Sequence, residues 1–170
     1  MIQLLLLLAG ILAPLTVNDT ASASTNQPPE QAVLAVREEA QVSPQFFRTV
    51  NGISLDDRPA DVITKKGQPL SVTKDKLLGT TEYHYKDTTV GFLEGIVDYV
   101  HIPDSAGGMK LNDTWIPFHD QKIKLMMGQE EFLADDGFGY VRDYRAIKIY
   151  QNQASGHITG ADFFLEFGDE

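Results

Sequence analysis

The stretch Ile96-Val97-Asp98-Tyr99-Val100-His101-Ile102 decides how this chain is read. Its β-branched and aromatic content marks a strand bounded by Glu94-Gly95 before and Pro103 after. Strict alternation puts Ile96, Asp98, Val100 and Ile102 on one face, and Val97, Tyr99 and His101 on the other. Both faces then carry apolar bulk, more than a sheet covered on one side needs. Either N-terminal helices cover the second face, or it is an exposed, tyrosine-bearing surface that docks a partner.

Working outward, two more strands precede it, at about Glu82 to Lys86 and Thr88 to Leu93. Lys86-Asp87 and Glu94-Gly95 form the tight turns of an antiparallel meander. A helix opens at Asp57-Arg58-Pro59-Ala60 and stops at Gly67-Gln68-Pro69, where glycine accepts a left-handed cap and proline forbids continuation. The same order recurs downstream. Gly108-Met109-Lys110-Leu111 echoes Gly52-Ile53-Ser54-Leu55, and a small hairpin turns at Asn112-Asp113. A helix runs from His119-Asp120 to Met127, and Gly128 stops it. Strands follow at about Phe138 to Asp143, Ala146 to Gln151 and His157 to Phe167. The expected fold is therefore α+β, a tandem repeat of a helix followed by a three-stranded antiparallel meander, with the helices on one sheet face. The expected boundaries are a signal peptide over 1–23, a flexible lead-in with N-terminal helices over 24–49, and repeats over 50–103 and 104–170. The lead-in holds a helix from Pro28-Pro29-Glu30 to Ala40 and a short one starting at Ser43-Pro44.

Leu4 to Leu12 is an apolar run, broken by Pro14 and followed by the small-residue pattern Ala21-Ser22-Ala23. That is the pattern of a secretory signal, and the run is shorter than the roughly 20 apolar residues of a membrane span. It lacks the usual preceding Lys or Arg. The reading is an exported, extracellular protein with no transmembrane span after cleavage. The chain has no cysteine, which excludes disulfides, thiolate–zinc sites, thiol catalysis and a cysteine-linked lipid anchor. The roughly 150 residues left after cleavage suffice for one core. A net charge of −10 with scattered Lys and Arg argues against nucleic acid as a partner.

Catalytic patterns are weak. Gly52-Ile53-Ser54-Leu55-Asp56 lacks the second glycine of a nucleophile elbow, and Ser71-Val72-Thr73-Lys74 matches Ser-x-x-Lys without its companion motifs. None of His84, His101, His119 and His157 has helical metal-ligand spacing, although His84 and His101 sit where strands could bring them close. Asp135-Asp136-Gly137 lacks the remaining ligands of a calcium loop. No metal and no cofactor is expected. Among carboxylates, Asp143, Asp162 and Glu166 are the ones whose separation would have to be checked for glycoside hydrolysis. Aromatic residues favour strands, so core packing is their default role; tyrosine also supplies contact area and a hydroxyl at low entropic cost. The binding candidates are Tyr83, Tyr85, Tyr99, His101, Tyr140 and Tyr144.

Gly52-Ile53-Ser54-Leu55, Gly67-Gln68-Pro69, Glu82-Tyr83-His84-Tyr85, Val90-Gly91-Phe92 and Gly160-Ala161-Asp162-Phe163-Phe164 together resemble the YjgB-like family of uncharacterised secreted proteins of Gram-positive bacteria. The resemblance runs from about Val50 to the C-terminus and implies no established activity. The order of helix, Gly-x-Pro stop and Tyr-x-Tyr strand also resembles envelope-assembly lipoproteins and tandem-repeat β-lactamase inhibitor proteins, which present a concave sheet to a protein partner. The functional expectation is a secreted, non-catalytic binding module for a protein or cell-wall partner. The alternatives are an extracellular hydrolase using strand carboxylates and a structural protein associated with stress or sporulation.

Overall fold

The computed structural model describes residues 44–166, and backbone contacts divide the chain into units Met1–Glu39 and Ala40–Glu170. The signal segment and the helix expected from Pro28 to Ala40 lie outside the described residues.

The elements run α1 (Pro59–Lys66), β1 (Ser71–Asp75), β2 (Thr80–His84), β3 (Thr89–Leu93), β4 (Ile96–Pro103), a short 3-10 turn (Asp104–Ala106), β5 (Gly108–Leu111), β6 (Thr114–Pro117), α2 (Asp120–Met127), β7 (Phe132–Ala134), β8 (Gly137–Arg142), β9 (Arg145–Gln151) and β10 (Ile158–Leu165). Eight strands form one antiparallel sheet in the order β1-β2-β3-β4-β10-β9-β8-β7, and β5-β6 form a separate hairpin.

This corrects the expected tandem of a helix plus three-stranded meander. Among the described residues the fold is β-rich: one continuous eight-stranded sheet with two eight-residue helices. Two strands escaped the sequence reading. β1 is wholly exposed along its length, so no buried apolar positions announce it. β7 has three residues, too few for a periodic pattern. The short helix expected at Ser43-Pro44 also does not form; from Pro44 to Thr49 the described chain is non-helical. Its Phe47 is nonetheless core, with a relative exposure of 1%.

The core lies on one face of the sheet. Val90, Phe92, Val97, Val100, Ile102, Phe138, Tyr140, Ile147, Ile149, Ala161 and Phe163 point into it from the strands. Phe47, Val50, Ile53, Leu55, Val62, Met109, Leu111, Ile116, Ile123 and Met127 cover them from the entry segment, the small hairpin and the helices. The entry segment is tied to the hairpin by backbone bonds: Asn51 N–H to Lys110 O and Asn112 N–H to Thr49 O, both 2.8 Å. Asn51 and Asn112 both hold positive φ, which asparagine tolerates better than most side chains. Each also closes that crossing with its side chain. Asn51 Oδ1 accepts from Lys110 N–H (2.8 Å), and Asn112 Oδ1 accepts from Arg48 N–H (2.9 Å).

β4 departs from the alternation read from its sequence. Gly91 pairs with Tyr99 but Phe92 pairs with Val97, so Asp98 is an extra residue in a β-bulge. The bulge resets the pleat. Val97, Val100 and Ile102 all enter the core, while Tyr99 and His101 point to the opposite face and Ile96 is 45% exposed. Asp98 is thereby kept out of the core, where a carboxylate would lack a partner.

Candidate functional site

The second face of the sheet holds the polar side chains. Strand register places Ser71, His84, Thr89, His101, Asp162 and Lys148 in one row across β1, β2, β3, β4, β10 and β9. The adjacent row runs Thr73, Glu82, Gly91, Tyr99, Phe164 and Ala146. The buried side chains of both helices and of the hairpin belong to the core on the other face.

Asp162 is the hub of this face. His101 Nδ1 lies 2.6 Å from Asp162 Oδ1, and the Tyr150 hydroxyl donates to Asp162 Oδ2 at 2.6 Å. Lys148 Nζ stands 4.6 Å from the centre of the Tyr150 ring and forms an ion pair with Asp136 at 2.7 Å. On β4, the strand beside β10, Tyr99 donates its hydroxyl across β3 to Glu82 of β2. The Tyr99 ring lies across Gly91, where any β-carbon would collide with it. His84 Nε2 is 2.9 Å from Thr73 Oγ1, and its Nδ1 is 3.3 Å from Thr89 Oγ1. Gly160 plays for His101 a part like that of Gly91 for Tyr99: its absent β-carbon leaves room for the imidazole, whose Cε1 would be 3.2 Å away.

Burial and the acceptor carboxylates push the phenols of Tyr99 and Tyr150 well above the usual tyrosine range. Both remain neutral donors throughout the physiological range. Asp136 is held below the ordinary carboxylate range by its bond to Lys148. The face is thus pre-set: rings and carboxylates are fixed by each other before any partner arrives, with one cation, Lys148, at its β9 side.

The six residues singled out from sequence are not brought together. Tyr99 and His101 share the polar face. Tyr83 and Tyr85 pack against the core cluster, Tyr83 edge-on to Phe92 (centroids 4.8 Å apart), and the Tyr85 hydroxyl donates to Gly67 O at 3.1 Å. Tyr140 is fully buried. Tyr144 stands at the β8–β9 turn, 74% exposed, with positive φ. Glu82, Lys148 and Tyr150 also belong to the polar face but were not singled out, as does His84, which was weighed only as a metal ligand. The available signal was register: each is an even number of residues from, or directly opposite, a residue already on that face.

Tyr140 has no hydrogen-bond partner for its buried hydroxyl. Burying a hydroxyl without a partner costs free energy that phenylalanine would not incur. Tyr140→Phe is therefore expected to leave stability unchanged or raise it by about 1 kcal/mol in a urea melt, because the ring contacts stay and only the unmatched polar atom goes.

Asp162 does not form a hydrolytic pair with either of the other two carboxylates, Asp143 and Glu166. Asp143 occupies the β8–β9 turn, whereas Asp162 pairs with Lys148, five residues along β9. At ~3.4 Å per residue that is roughly 17 Å. Glu166 is four residues beyond Asp162 in chain order, roughly 14 Å at the same rise. Both exceed the roughly 5–9.5 Å that retaining and inverting glycosidases use. His84 and His101 flank Thr89 in their row, two strand spacings or about 10 Å apart. Among the described residues no group of three or more His, Cys, Asp or Glu could hold a metal ion.

No protein-family model matches the chain, and no curated protein matches it. Among the solved structures similar to it are two extracellular proteins. One is a cysteine-rich secretory protein from Staphylococcus aureus, with 15% identity and a TM-score of 0.45, covering 65% of this chain and 44% of that one. The other is an extracellular protein containing an SCP domain from Bacillus anthracis, with 11% identity and a TM-score of 0.49, covering 86% of this chain and 49% of that one. The chain spans about half the length of these proteins. Among the described residues no helix is long and apolar enough to cross a membrane.

Proposed function

We propose that the chain is an exported, non-catalytic binding module of the YjgB-like kind, which engages a protein of the cell envelope through the polar face of its sheet. The observation that carries this reading is the hub at Asp162, which fixes His101 and Tyr150 on a face whose hydrogen bonds run between its own strands. Half-buried tyrosines held as neutral donors, carboxylates and one cation supply directional contacts at low entropic cost. The apolar run Leu4 to Leu12 with Ala21-Ser22-Ala23 supports export. The separations of Asp143 and Glu166 from Asp162 weigh against hydrolysis by a carboxylate pair that includes Asp162.

The test places a photo-crosslinking amino acid at Thr89, in the middle of the polar row, and separately at exposed Thr64 on α1. Both variants are expressed in a Gram-positive host and irradiated in the intact culture. A discrete protein adduct from position 89 and none from position 64 is the expected result. Adducts of equal yield from both positions would remove the polar face as the recognition surface.

A further inference from the structure

We infer that β1 is a self-association edge, on which a second copy of this chain adds its own β1 antiparallel and continues the sheet. All five residues of β1 are exposed, and β1 is the outermost strand. The opposite edge, β7, is three residues long, a length that discourages strand addition.

The hydrogen-bond phase of β1 follows from its neighbours. Tyr85 N–H donates to Thr88 O at 2.8 Å, which closes the β2–β3 hairpin. Alternation along β2 then turns Thr81 and Tyr83 toward β3, and Thr80, Glu82 and His84 toward β1. Their partners Asp75, Thr73 and Ser71 bond inward. Val72 and Lys74 are left with N–H and C=O groups aimed away from the sheet.

Only registers that keep both copies' side chains on matching faces are allowed. The two-fold register centred on Thr73 makes Val72 of one copy and Lys74 of the other a hydrogen-bonded pair, twice over. Thr73 faces Thr73 as the close, non-hydrogen-bonded pair, a favourable cross-strand match. Ser71 faces Asp75, and no like charges stand directly opposite. Moving the centre to Lys74 would set lysine against lysine.

The exposed apolar residues at the two ends of this edge fit the same arrangement. Leu70 is 77% exposed at the start of β1, and Leu77 and Leu78 are 93% and 66% exposed in the turn after it. Antiparallel pairing sets Leu70 of each copy opposite Lys76 of the other, beside that leucine turn. The strand therefore complements itself at both ends as well as at its centre. A two-fold axis normal to the sheet also leaves both polar faces on one side, so the candidate recognition surface doubles.

Sedimentation equilibrium of the purified chain over low to high micromolar concentrations tests this. The unaltered chain is expected to shift from monomer to dimer. Val72→Pro removes only an outward N–H, so it is expected to keep the circular dichroism spectrum and to weaken dimerisation by at least about tenfold. Thr73→Lys leaves the backbone intact and sets like charges face to face at the centre; it is expected to weaken dimerisation similarly and decides the matter if Val72→Pro does not fold. A chain monomeric at every concentration overturns the inference and leaves the edge to another protein's strand. Dimerisation unchanged in a folded variant overturns it as well.

Discussion

Phe163→Ala lowers stability by about 3–5 kcal/mol, much of the 5–15 kcal/mol typical of a folded domain. Phe163 is 1% exposed and sits on β10, beside β4 at the sheet's centre. Its neighbours across the strands are Val100 and Ile147, both fully buried. Removing the ring opens a cavity where two strands and the covering layer meet, and close-packed neighbours relax only partly into it. A urea melt followed by tryptophan fluorescence and circular dichroism should show a lower midpoint with little change in slope. A loss below about 1 kcal/mol would mean that the core does not lie on this face.

One residue earlier on the same strand, the effect changes kind. Asp162→Ala is expected to cost only about 1–2 kcal/mol of stability, since Asp162 is partly solvated and its partners can turn to water. Binding should suffer far more. The substitution removes the acceptor that fixes both His101 and Tyr150, so two side chains of the proposed binding face lose their orientation at once. Losing a pre-set, centrally placed cluster costs about 2 kcal/mol or more of affinity, roughly thirtyfold. Gln and Glu at position 162 do not restore the geometry, because the extra methylene moves both acceptor atoms. Equal loss of fold and of binding would mean that Asp162 serves the scaffold alone.

Much of the local structure was legible. Glycine stops at Gly67 and Gly128, the Asn112-Asp113 turn and the strands through Tyr99 and Tyr140 all left compositional marks. The architecture was not, for two physical reasons. Strands on an exposed edge have no apolar alternation, so Ser71 to Asp75 stood out only as a Ser-x-x-Lys match without its companion motifs. The pairing of β4 with β10 joins residues about sixty positions apart, and no local pattern encodes which strand ends meet. The candidate site was half visible. Tyr99 and His101 were placed on one face, but strict alternation joined Val97 to them, because a one-residue bulge at Asp98 has no sequence signature of its own. Tyr83, Tyr85 and Tyr140 were drawn to the same surface by residue type, whereas their register turns them to the core. Partners such as Glu82 and Tyr150 become visible only through the cross-strand pairing that brings them to Tyr99 and Asp162.

In the proposed function one face of the sheet packs the core and the other meets the partner. The most direct test is the photo-adduct yield from position 89 in an Asp162→Ala background, with the melting midpoint measured on the same protein. The expected result is an adduct reduced to near background while the midpoint falls by no more than the roughly 3–10 °C that a loss of about 1–2 kcal/mol implies. An adduct of full yield in a folded Asp162→Ala protein would contradict the Asp162 hub as the feature that carries recognition.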